Sequence, residues 1–173
     1  VWIQGAEFTM ESGAEISNVI GRAVYADGGN VTINGTINSI RADGDMWQGT
    51  NGVVLHLRNK ATGELDPGCE VKKSNGTLFY VNNSELDMKE GSRVVDNLTG
   101  GNVIFSTYST VTINNEIANN NTGKNHVLQT DSETVTTIGN SANIHDNLVF
   151  YGAIYLNGEN EKLDIYGKVN NNY

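Results

Sequence analysis

The chain has 173 residues, 38% of them hydrophobic and 18% charged, which is enough for one domain with a real core and excludes a disordered tail or a coiled coil. A formal net charge of −9 argues against nucleic acid or an anionic membrane as partner, and no apolar run approaches the roughly 20 residues of a membrane span. Glycine (20 residues) and asparagine (25) dominate beside a single proline; both tolerate left-handed backbone at tight corners, so many turns and no long helices are expected.

Glu7 to Gly28 is the unit that the rest repeats. Glu7-Phe8-Thr9-Met10, a turn at Glu11-Ser12-Gly13, Ile16, a second turn and Ala23-Val24-Tyr25-Ala26 make three short segments in about two dozen residues. The same unit recurs as Ala6–Gly29, Asn30–Lys60, Ala61–Asn83, Ser84–Ser109, Thr110–Ser132, Glu133–Glu159 and a partial coil from Asn160. A period of this length marks a solenoid.

Three columns emerge from the alignment. The first holds Phe8/Met10, Val31/Ile33, Gly63/Leu65, Leu86/Met88, Val111/Ile113, Thr136/Ile138 and Leu163/Ile165, with a polar residue inside each pair. Alternation at period two is a strand with one buried face. A second column is Ile16, Ile37, Val71, Val94, Ile117, Ile144 and Val169; three residues later come Val19, Ile40, Ser74, Asn97, Asn120, Asn147 and Asn172. The third includes Val24-Tyr25-Ala26, Leu55-His56-Leu57, Phe79-Tyr80-Val81 and Ile154-Tyr155-Leu156, with the register open at Val103-Ile104-Phe105 and Val127-Leu128-Gln129. Stacking at the ~4.8 Å strand spacing gives an all-β parallel β-helix of about six to seven coils, one domain over residues 1–173 and a rod about 30 Å long.

Phe8-Thr9-Met10, Gly13, Ile16-Ser17-Asn18 and Ala23-Val24-Tyr25 resemble the repeats of adhesin-like surface proteins of anaerobic bacteria and methanogenic archaea, within the pectate-lyase-like superfamily. That resemblance implies a right-handed helix, an asparagine ladder and an extracellular, secreted or cell-surface location. Enzymes of the superfamily use clustered Asp with Arg or Lys, or an Asn-Thr-Asp, Asp-Asp, His-Gly and Arg-Ile-Lys set. This chain has no Asp-Asp pair and no His-Gly, so an adhesin or stalk segment is expected before a polysaccharide lyase, a glycoside hydrolase or a phage tailspike segment.

Candidate sites follow from the columns. Ser74, Asn97, Asn120, Asn147 and Asn172 share one turn position, where a buried amide bonds to the coils on either side. Six Asn-X-Ser/Thr sequons begin at Asn30, Asn34, Asn75, Asn82, Asn97 and Asn120; the ladder would bury the last two. Tyr25, His56, Tyr80 and Tyr155 fall at the outward position of the third column, with Leu128 and Phe105; they form either a platform for a surface glycan or protein, or a stack packed on itself. The extra length of the second coil, Arg41 to Asn51, carries Trp47, which either contacts a ligand or folds back onto the rod, and Asp43 and Asp45 as weak candidates for Ca²⁺, a solvated turn being the alternative; no other cofactor is expected. Charged Glu64, Asp87 and Asp164 interrupt the threonine column of Thr9, Thr32, Thr112 and Thr137, which excludes an ice-binding face. Cys69 is alone, so no intrachain disulfide forms. Val1-Trp2-Ile3-Gln4 is already strand-like and Asn170-Asn171-Asn172-Tyr173 lies partway through a repeat, so flanking coils or end-to-end association are expected.

Overall fold

The computed structural model describes residues 1–42 and 52–173. Three parallel sheets of seven strands each run its length, and no helix occurs among the described residues. Sheet A contains Trp2–Gln4, Arg22–Asp27, Val53–Arg58, Phe79–Asn82, Ile104–Thr107, Leu128–Asp131 and Ile154–Leu156. Sheet B contains Glu7–Met10, Asn30–Ile33, Thr62–Leu65, Glu85–Met88, Thr110–Ile113, Val135–Ile138 and Lys162–Ile165. Sheet C contains Glu15–Ser17, Thr36–Asn38, Glu70–Lys72, Arg93–Val95, Glu116–Ala118, Asn143–His145 and Lys168–Asn170. Each coil visits A, B and C in turn, and every strand pairs only with the same strand of adjacent coils. The result is a parallel β-solenoid.

The core is the space between the sheets, filled by stacked columns. In sheet B, Met10, Ile33, Leu65, Met88, Ile113 and Ile138 are buried, with Ile165 half exposed in the last coil. Sheet C contributes Ile37, Val71, Val94, Ile117 and Ile144, all fully buried, with Ile16 and Val169 packed against the cluster at the two ends. Each fully buried aliphatic side chain contributes roughly 1.5–3 kcal/mol. Gly63 occupies a core position between Val31 and Leu86 because Leu57 and Leu55 already fill its space: a Cβ there would stand 2.6 Å from Leu57 Cδ1. Cys69 lies in the same interior as a free thiol, pushed up to about 12 by burial and then by Asp66 and Glu70.

One corner repeats with little change. The residue that leaves sheet C is Asn18, Ser39, Lys73, Asp96, Asn119, Asp146 or Asn171, each with φ between 49° and 57°. That left-handed residue turns the chain so that the next side chain points inward and becomes the ladder member. Asparagine and aspartate fill most of these corners because their short polar side chains tolerate the left-handed region. The corners account for part of the asparagine content.

The ladder forms as expected from its spacing. Asn120 is fully buried; its Oδ1 accepts from the backbone N–H of Asn97 (3.1 Å) and from Asn97 Nδ2 (2.8 Å). Its Nδ2 donates to Val94 O (2.9 Å) and to Asn147 Oδ1 (2.9 Å). Asn147 repeats the pattern towards Asn172, and Ser74 begins it by accepting from the Ile40 N–H at 3.2 Å. Asn97, at 2% exposure, is also inaccessible, as the ladder reading of its sequon required.

Sheet A corrects two expectations. Its outward column runs Trp2, Tyr25, His56, Tyr80, Phe105, Gln129 and Tyr155, so Gln129 holds the place assigned to Leu128. Leu128 is fully buried and pairs with Ile104. Val127 and Leu128 are both buried, as are Val103 and Ile104 and Leu78 and Phe79, so alternation fails where the strand enters from its corner. The second correction is His56, which is only 6% exposed despite its place in the outward column.

Candidate functional site

The aromatic column of sheet A is the most distinctive surface feature, and it exists because parallel pairing without offset brings one side chain per coil into contact. Ring centroids lie 5.3 Å apart for Trp2–Tyr25, 4.9 Å for Tyr25–His56, 4.7 Å for His56–Tyr80 and 5.1 Å for Tyr80–Phe105. Gln129 interrupts the stack, and Tyr155 pairs instead with His126 at 4.9 Å. His126 comes from the preceding corner, where its backbone N–H donates to Asn102 Oδ1 and its Nδ1 donates to Gly152 O at 2.8 Å. Tyr80 and Phe105 stack, whereas Trp2–Tyr25 and Tyr25–His56 meet edge to face. Their edges, the phenol hydroxyls and the flanking polar side chains meet solvent.

A recess of about 360 Å³ opens over this column, lined by Arg22, Tyr25, His56, Arg58, Asn59, Tyr80 and Asn82. The Arg22 guanidinium sits 5.2 Å from the Tyr25 ring centre, a cation–π distance. Arg58 Nε approaches Asp27 Oδ1 at 3.6 Å, while Asn59 Nδ2 holds the same oxygen at 2.6 Å. His56 is pushed down to about 4, chiefly by burial and then by the charges of Arg22 and Arg58, so its imidazole is neutral at pH 7. Its Nδ1 is buried without a hydrogen-bond partner.

The other two faces carry charge in rows. On sheet B, Lys89 Nζ donates to Glu64 Oε2 at 2.7 Å and Asp66 Oδ1 at 2.8 Å, and Asp87 stands beside Glu64 in register. The Asp87 carboxyl is raised by burial, with Glu64 and Asp66 pushing the same way against Lys89. On sheet C, Arg93 Nε bonds Glu116 at 2.6 Å and Arg93 Nη1 lies 3.4 Å from Glu70. His145 reaches Asp146 at 2.7 Å and Glu116 at 3.3 Å. Those carboxylates raise His145, Asp146 most, while Arg93 holds Glu116 below its ordinary value. No group of three or more His, Cys, Asp or Glu among the described residues has the arrangement of a metal centre.

Of the residues singled out in the sequence, Tyr25, His56 and Tyr80 come together at the recess, and Tyr155 joins a second stack two coils beyond Phe105. Ser74, Asn97, Asn120, Asn147 and Asn172 form the interior ladder. Trp47 and the Asp43 and Asp45 pair lie outside the described residues. Sequence reasoning missed Arg22 and Arg58, which stand at opposite ends of the paired strands of the third column and line one recess only when coils of unequal length are stacked. Trp2 and His126 were missed too. A Trp in the strand-like run Val1-Trp2-Ile3-Gln4 is a legible signal; a corner histidine is not. Comparison of the chain with protein-family models, curated proteins and solved structures returned no match.

Proposed function

We propose that this chain is a non-catalytic β-helical segment of an exported, adhesin-like surface protein, serving as a spacer whose sheet A face binds a surface glycan. The observation that supports it best is the recess over Tyr25, His56 and Tyr80, where aromatic edges, two guanidinium groups and two amides converge on one face. Few precisely placed polar groups beside aromatic surface is what sugar recognition requires. The stacked coils and the interior ladder support the spacer role, because every coil is bonded to its neighbours through strands and side chains alike.

A second reading has one observation behind it. Glu64, Asp66 and Asp87 gather on sheet B with Lys89 between two of them, and a carboxyl raised beside an ionised one can act as a general acid in polysaccharide cleavage. Lys89 already neutralises part of this set, which favours the charge-row reading.

A glycan-array screen of the 173-residue chain, paired with reducing-end release from acidic and neutral polysaccharides, separates the two. The binding segment gives array signal, abolished by Tyr80→Ala, and no new reducing ends. Release that disappears in Asp87→Asn would replace it with the enzyme. Silence in both assays would remove the glycan and leave a plain spacer.

A further inference from the structure

We propose that the core of the middle coils holds one ordered water molecule, bound by the hydroxyls of Ser106, Thr130 and Thr136. The three side chains are buried, at 0%, 1% and 0% exposure, and none of their oxygens has a hydrogen-bond partner among the described residues. A buried hydroxyl left unbonded costs free energy, so a native interior satisfies it with protein or with water. Ser84, Ser92, Ser109 and Thr134 take the first route, each donating to a carbonyl oxygen two or three residues back. Those four sit at corners. Ser106, Thr130 and Thr136 lie within strands, where the carbonyls point along the sheet to adjacent coils and not into the core.

The register brings the three together. Leu57, Val81, Ser106 and Thr130 form one inward column of sheet A, and Gly63, Leu86, Val111 and Thr136 form one of sheet B. Ser106 and Thr130 are therefore neighbours at the strand spacing. Thr136 follows Thr130 by six residues, as Gly63 follows Leu57, and at that earlier corner a Cβ on residue 63 would stand 2.6 Å from Leu57 Cδ1. The two columns thus face each other across the corner, and Ser106, Val111, Thr130 and Thr136 make a two-by-two grid with a hydroxyl at three of its corners. Ser106 gives up volume that Leu57 and Val81 fill earlier in its column. A space lined by hydroxyls takes water where an aliphatic lining stays dry, and an internal water makes about three hydrogen bonds to groups otherwise unpaired. Three hydroxyls are what the grid offers.

A crystal structure of the whole chain with its solvent, paired with denaturant unfolding of variants, tests the site. Water density should lie about 2.7–3.2 Å from at least two of the three hydroxyl oxygens. Thr130→Val and Thr136→Val keep the side-chain shape and remove a hydroxyl, so each should lower the unfolding midpoint by stranding the water and the remaining hydroxyls. The double variant should lose less than the sum of the two, because both act through one water. Absence of that density, or protein atoms bonded to the three hydroxyls in its place, overturns the water site. A higher midpoint in either single variant also overturns it, since that is the result for a methyl replacing an unpaired hydroxyl in a dry core. Losses that add in full would assign the two hydroxyls separate partners and overturn the shared water. If a variant fails to fold, the density in the unsubstituted chain decides.

Discussion

Asn120 stands in the middle of the ladder, bonded to the coil on either side. Its side chain accepts twice and donates twice in a site with no solvent, so each lost bond leaves a partner unpaired. Asn120→Ala should cost about 1–3 kcal/mol by denaturant unfolding. Asn120→Asp should cost more although it is the closer isostere, because a carboxylate would face Val94 O and Asn147 Oδ1 with acceptors only. An aspartate variant more stable than the alanine one would mean the position is packing and nothing else. His56 makes a second prediction at this scale. Its unfolded value is near 6.5 and its folded value about 4, so as pH falls through 6.5 the unfolded chain takes up a proton that the folded one refuses. Stability from this group is therefore complete above pH 6.5 and declines down to about 4, by on the order of 2–3 kcal/mol. His56→Phe keeps a ring in the stack and should flatten that part of the profile; a slope that survives the substitution would assign it to other groups.

At the scale of strands, legibility followed the alternation. Sheets B and C show one buried face each, so Met10 to Ile165 and Ile16 to Val169 could be aligned by eye, and the ladder followed three residues after the second column. Gly63 broke the apolar pattern yet was placed correctly by its neighbours Thr62, Glu64 and Leu65. Its size is a packing requirement: Gly63→Ala improves strand propensity but drives a Cβ to 2.6 Å from Leu57 Cδ1 and 3.0 Å from Leu55 Cδ2. Thermal unfolding should show a loss of about 1–3 kcal/mol, and a gain would mean that the leucines move aside. Sheet A was legible in four coils and failed at Val127-Leu128-Gln129, where two consecutive apolar residues are both buried and period two is lost. The recess was half legible. Its rings share a column, but Arg22 pairs opposite Val53 across the longest coil, and no spacing rule puts it and Arg58 on one recess.

The whole molecule is a stack, and its first and last coils present strand edges that pair on one side only among the described residues. Residues of the inward columns are open there, Ile165 at 49% and Leu156 at 43% exposure, and on the outward column Trp2 is 76% exposed. A second copy added in register would place Lys162 over Glu7 and Lys168 over Glu15, opposite charges in both columns. Sedimentation velocity of the 173-residue chain should then show head-to-tail association that rises with concentration and weakens in the Lys162→Glu/Lys168→Glu double variant. A monomer at every concentration would contradict it.

The central claim is that the coils from Ser74 to Asn172 are stapled together by one interior ladder, and amide hydrogen exchange read residue by residue tests it most directly. The backbone N–H groups of Ser74, Asn97, Asn120 and Asn147 each donate to a side-chain oxygen of the next coil, away from any strand. They should exchange as slowly as the strand amides of Val94 and Ile117, far more slowly than the exposed turn amides of Ser12 and Gly13. Ladder amides that exchange at the rate of those turns would show that the corners are not bonded from coil to coil, and the stapled stack would be wrong.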